Sequence, residues 1–170
     1  MTYVMVDVEA DGPIPGDYSM IALGAVIVEP GLARRFSGKL RPISDRWVPE
    51  ALAVSGFSRE ETMTFDDAAK TMTRFREWLA NKGNLRFVSD NNGFDWQFVN
   101  WYFHHFVGRN PFGHSSINLG SLYKGLVKDM KPSFKHLRQT RHTHDPVDDA
   151  VGNAEAMLTM VTEMGLKATF

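Results

Sequence analysis

The stretch "YVMVDVEADG", Tyr3 to Gly12, decides how this chain is read. Tyr3, Val4, Met5 and Val6 lead in as a buried strand would. Asp7 and Glu9 then fall where that strand should still be dry. Side chains alternate across a strand, so both acids point to the same face. Two carboxylates together in a partly dry site repel each other. One must take a proton, or a cation must sit between them. The plain alternative is that the strand has ended and both acids are solvated.

Composition narrows the classes around that stretch. The chain has 170 residues, which fits one domain with a real core, so a single domain over 1–170 is expected. With no cysteine, there is neither a disulfide framework nor a thiolate metal site. No apolar run approaches the length of a membrane span. The start "MTYVMVDVEADG" lacks a basic region and reaches an acid by residue 7, unlike a signal peptide. A cytoplasmic protein is the expectation. The net charge of -1 argues against nucleic-acid binding through bulk positive charge, but not against local or metal-mediated binding.

Outward from the opening strand, the chain alternates strands and helices. "GPIPGDYS" (Gly12 to Ser19) reads as a loop, since its prolines and glycines forbid regular structure. Met20 to Val28 is a second, strongly apolar strand. Leu32 to Leu40 suits a third, paired to it as a hairpin. Short helical turns fit Pro49–Val54 and Ser58–Thr62. Apolar residues at 65, 68, 72, 75, 78 and 79 keep the 3.6 period of a helix, ended by Gly83. A short strand (Leu85 to Ser89), an aromatic-rich helix ended by Gly108, a strand at "SSINL" and a helix from Gly120 to about Lys128 follow. The last helix has Asp145 as N-cap and Pro146 at N1, and Gly165 stops it. The order implies an α/β sandwich with a mixed sheet.

Two further acids face inward by periodicity. Asp95 begins a row with Val99, Tyr102, Phe103 and Phe106 on the aromatic helix. An acid in a first turn is also favoured by the helix dipole without any function. Of the neighbours Asp148 and Asp149, Asp148 shares a polar row and suits capping. Asp149 shares a mostly apolar row with Asn153, Ala156, Met160 and Met164. His144 lies in the loop just before that helix. Beside an acid cluster, a loop histidine suits a general base near neutral pH. His142 reads as solvated.

Taken in order and spacing, "VDVEADG", "NNGFDWQFV" and "HDPVDDAVGNAEAM" resemble the three motifs of the DEDDh, or DnaQ-like, family of 3'→5' exonucleases. The motifs are Asp-x-Glu (Asp7, Glu9), Asn followed four residues later by Asp (Asn91, Asp95), and His followed five residues later by Asp (His144, Asp149). The resemblance covers roughly residues 3–164. It implies an RNase H-like fold, with a mixed sheet of about five strands flanked by helices. Two positions depart from the pattern: Asp90 stands where His is common, and Ala10 where Thr is common. The related subclass with Tyr four residues before the last acid is not matched, because Asp145 stands there.

By this resemblance, Asp7, Glu9, Asp95 and Asp149 would hold two divalent cations, Mg2+ or Mn2+, whose preference for hard oxygen ligands they suit. Asp7 would bridge the two. His144 would take the proton from the attacking water, and nucleoside 5'-monophosphates would leave stepwise from a single-stranded 3' end. Ala10, Phe57 and Asn91 are the expected substrate contacts, with Phe57 against the terminal base. Whether the substrate is DNA or RNA is open.

The segment Lys124 to Arg141 carries Lys124, Lys128, Lys131, Lys135, Arg138 and Arg141 against the single acid Asp129. It is either a phosphate track or a solvated basic loop. The aromatic helix is either fully buried or a dimer interface, and the family's standalone homodimers favour a homodimer. The alternative function is a catalytically silent nucleic-acid-binding domain on the same fold.

Overall fold

The computed structural model describes residues 1–169, so Phe170 of the expected 1–170 domain lies outside the described residues. The strands are β1 (Thr2–Ala10), β2 (Met20–Ile27), β3 (Arg35–Lys39), β4 (Leu85–Ser89) and β5 (Ser116–Asn118). The helices are α1 (Pro49–Val54), α2 (Arg59–Thr62), α3 (Ala68–Leu79), α4 (Asn92–Val107), α5 (Leu119–Val127) and α6 (Pro146–Thr162), with a 3-10 turn at Phe134–Leu137. One sheet orders the strands β3-β2-β1-β4-β5. β1 pairs antiparallel with β2 and parallel with β4. It is therefore the central strand, and the point where the sheet changes sense.

Alternation along β1 divides the core in two. Val4, Val6, Val8 and Ala10 pack with Phe36, Phe75, Phe98, Tyr102 and Phe103, under α3 and α4. Met5 packs on the opposite face with Val26, Val88, Ala150, Ala154, Met157 and Met160, under α6. Asp7 and Glu9 continue the Met5 row and so point toward α6.

Caps set several boundaries that periodicity leaves loose. The third helix starts at Ala68 because the Asp67 side chain accepts from the Lys70 N–H, and it ends at Leu79, short of Gly83. The third strand starts at Arg35 rather than Leu32, which turns the chain with φ 45°. At α6, the Asp145 carboxylate accepts the N–H groups of Val147 and Asp148, with Pro146 following it. Asp145 thus does the capping that Asp148 also suited, while Asp148 accepts from the Thr143 hydroxyl. The aromatic helix α4 buries Phe98, Val99, Tyr102 and Phe103, with Trp96, Trp101 and Phe106 partly covered. Among the described residues, no helix is long and apolar enough to cross a membrane.

Candidate active site

Close approach of α6 to the sheet brings the acids together. Gly24 on β2 lies opposite Asp7 in the antiparallel register. A Cβ at Gly24 would come within 2.1 Å of the Pro146 backbone. The first turn of α6 therefore rests directly on the sheet beside Asp7, and Asp149, one turn in, reaches β1. Carboxylate oxygens of Asp7, Glu9 and Asp149 lie within 4.8 Å of one another. Asp95 arrives from α4 on the other side and is 2% exposed.

Asp7, Glu9 and Asp95 share one cleft of about 630 Å³ at the C-terminal end of β1, with Asp149 buried against the first two. Asp7, Glu9, Ala10, Asn91, Asp95 and His144 all line it. A hollow of similar size, about 660 Å³, borders Arg76, Glu77 and Arg109, but no group of metal-ligating side chains lines it. Donor chemistry, not volume, separates the two.

The electrostatics are those of an acid cluster in want of positive charge. Burial, and then the charges of Asp95, Asp149 and Glu9, holds the Asp7 carboxyl well above its ordinary range, with Arg138 opposing. Glu9 is pushed up to about 7 by burial and then by Asp149. Asp95 is pushed up to about 8, chiefly by burial, with the charges of Asp90 and Glu9 adding; the Ser89 side chain and the Val8 backbone oppose through hydrogen bonds. One Asp95 oxygen, Oδ2, is buried without a hydrogen-bond partner among the described residues. An orphaned buried carboxylate oxygen beside three converging acids is the donor set a hard divalent cation takes.

His144 stands at the cleft edge, with Nδ1 3.8 Å from Glu9 Oε1. Its backbone has φ 61°, a conformation L side chains rarely adopt. The His144 N–H donates to Asp149 Oδ2 (3.1 Å), and the Thr143 N–H to Oδ1 (3.3 Å). The loop carrying the histidine thus hangs on the carboxylate of Asp149.

Other placements differ from the sequence reading. His142 is half-exposed but not merely solvated, since its Nδ1 lies 2.8 Å from Asp149 Oδ1. Arg138 does not lie on a phosphate track. Its guanidinium is 7% exposed and donates to Asp149 Oδ1 at 2.8 Å. Gly152 makes room for it, because a Cβ there would come within 2.4 Å of Nε. Of the basic segment, Lys135 lines the cleft, 4.0 Å from Asp90.

Phe57 is not brought into the cleft. It packs edge-on against Phe65, with Lys39 above its ring, and borders a smaller cavity on the other side of His144. Val54, 49% exposed, reaches the cleft instead. Val54 is the last residue of α1, two residues before Gly56, and no periodic signal in the sequence marked it. Nothing local marked Arg138, whose partner is eleven residues away.

Comparison with known proteins accounts for this geometry. The RNase T family model, described as an exonuclease, matches residues 4–157. The chain belongs to this exonuclease family. The exonuclease is 37% identical over 172 residues to the 3'-5' DNA exonuclease Cap18 of Escherichia coli, covering 90% of this chain and 88% of that one. Its fold is shared with the nuclease domain of 3'hExo, a DEDDh family member, bound to rAMP. That likeness has a TM-score of 0.76 at 15% identity, over 99% of this chain and 96% of that one. Escherichia coli exonuclease I in complex with a dA16 oligonucleotide has the same fold, with a TM-score of 0.74 at 16% identity. This chain is covered to 95% but spans only 41% of exonuclease I. The family makes this chain an exonuclease, and its fold is the one these solved nucleases share.

Proposed function

We propose that this exonuclease removes nucleoside 5'-monophosphates from the 3' end of single-stranded DNA, through Asp7, Glu9, Asp95, Asp149 and His144. The observation that carries the reading is the meeting of Asp7, Glu9 and Asp95 in one cleft edged by His144, with Asp149 of α6 against the first two. The identity to a DNA exonuclease over most of both chains favours DNA over RNA.

Asp7, Glu9 and Asp149 would hold one divalent cation, and Asp95 with Asp7 a second, either Mg2+ or Mn2+. Bound there, the cations would neutralise the carboxylates, acidify water and offset charge on the leaving oxygen. The protein's own groups do the rest. His144 accepts a proton from the attacking water. Lys135 exchanges Asp90 for a substrate phosphate. Ala10 and Asn91 border the terminal nucleotide, with Val54 against its base. Water's oxygen bonds to phosphorus as the P–O3' bond breaks; the 3'-oxygen of the shortened strand takes up a proton from solvent as a new 3'-hydroxyl, and the phosphate stays on the released nucleotide. The whole function resides in one domain.

The test is digestion of 5'-labelled single-stranded DNA and RNA oligonucleotides with Mg2+, with Mn2+ and with chelator. A metal-dependent ladder shortening from the 3' end, faster on DNA, is expected. A faster RNA ladder would reverse the sugar assignment. No ladder from folded protein with either metal would sink the reading.

A further inference from the structure

The carboxylates of the cleft offer only oxygen, yet one edge of it offers nitrogen. His142 and His144 stand two residues apart, on a loop that folds both rings back over Asp149. Their ring centroids are 4.2 Å apart. A ligand atom from each imidazole and a carboxylate oxygen of Asp149 lie within 4.8 Å of one another. His142 Nδ1 is 2.8 Å from Asp149 Oδ1. Two ligands of a tetrahedral zinc ion, each about 2.0–2.1 Å from the metal, would be about 3.3 Å apart, so small ring movements suffice. The two side chains are 50% and 45% exposed, open to an ion from solvent.

We propose that His142, His144 and Asp149 form an inhibitory site for a borderline divalent transition metal, Zn2+ being the physiological form of that chemistry. The site shares Asp149 with the four acids and His144 with the proposed reaction and adds His142, a donor used by neither; it rests on that reading only for its consequence.

Donor softness argues for the choice of metal. Imidazole suits zinc, while magnesium keeps to oxygen and water. Two nitrogens and one oxygen leave a fourth position for water, as in open zinc sites. Arg138 supplies the outer support such sites need, donating to Asp149 Oδ1 from beneath. Oδ1 also accepts the Thr143 N–H at 3.3 Å, so a metal on Oδ1 would displace that longer bond while Arg138 keeps the other lone pair.

The inhibition follows from which residues are taken. A zinc-bound imidazole has committed the lone pair with which His144 would accept a proton. Asp149 is drawn from Asp7 and Glu9 at the same time. Zinc at low concentration would thus oppose the reaction that magnesium supports, through a donor set that overlaps the acids at Asp149.

Calorimetric titration with Zn2+ alone tests the site without any reading of activity. Wild type should show a tight step that His142→Ala and His144→Ala each weaken at least tenfold, and that Asp95→Asn retains. In parallel, Zn2+ should inhibit Mg2+-supported digestion of single-stranded DNA. His142→Ala should need at least ten times more zinc for half-inhibition, relative to its own zinc-free rate. A tight step kept by His142→Ala but lost in Asp95→Asn would overturn the proposal and assign zinc to the acids. An unchanged half-inhibition in His142→Ala would overturn its inhibitory role. Failure of wild type to digest DNA with magnesium would instead count against the function proposed above and leave the zinc titration standing.

Discussion

The two sides of the cleft are built in opposite ways. On one side, Asp7 and Glu9 sit on the central strand, tied by hydrogen-bonded neighbours in β2 and flanked by buried Val6, Val8 and Ala10. Their directions are set by the sheet. On the other side, His144 rides an exposed loop with a left-handed backbone, held by N–H groups on the Asp149 carboxylate. Glu155 steadies the same loop further back, accepting from the Gln139 and Thr140 backbones and the Thr140 hydroxyl. The acids are thus set by the sheet before anything binds, while the proposed base, His144, depends on one of those acids for its place. Asp149 belongs to both sides.

That dual membership sets the largest expected effects. Asp149→Ala should abolish DNA digestion and also loosen residues 142–144, seen as faster amide exchange there. Asp7→Ala should abolish digestion with the loop unchanged. If both variants leave the loop equally protected, the two sides are not coupled through Asp149. His144→Ala removes the proposed base alone and should slow turnover by about 10²–10⁴-fold, the usual range for a general base. Magnesium binding measured directly should be close to wild type in that variant.

The same contrast explains what could be read from the sequence. The strand side was legible because β periodicity is local: alternation alone puts Asp7 and Glu9 on one face. Helical periodicity likewise separates Asp149 from Asp148 and turns Asp95 inward, and both are almost fully buried. The loop side was not legible. No period governs residues 138–145, so Arg138 looked like one more basic residue and His142 like a solvated one. Both are placed by a tertiary contact with Asp149, and that of Arg138 depends on Gly152 leaving space on α6. Phe57 shows the same limit, since its ring direction is decided by Phe65 and Lys39.

Arg138 sharpens the comparison further. If Asp149 needs loop support, Arg138→Met should cut activity by about 10- to 100-fold, as outer partners of metal ligands do. The magnesium concentration for half-maximal rate should rise with it, and Arg138→Lys should recover part of both. A purely structural arginine would lower thermal stability and leave the magnesium requirement where it was. In that case α6 alone would position Asp149, and the two sides would be more alike than the contacts indicate.

The smallest effect is on stability, and its sign is fixed by the rigid side. Glu9 is raised to about 7 and Asp95 to about 8 in the folded protein. Unfolded, these carboxyls ionise near their ordinary values of about 4. Between those limits the folded state holds protons that the unfolded state has released, so stability falls as pH rises. With chelator present, Tm should therefore decline from about pH 5 to pH 8. Below the ordinary carboxylate range both states are protonated and this contribution vanishes. Divalent cation replaces the protons, so magnesium should raise Tm more at pH 8 than at pH 5.5. A flat Tm across that range would mean that the acids relax apart when bare, and that the sheet does not hold them as rigidly as its register suggests.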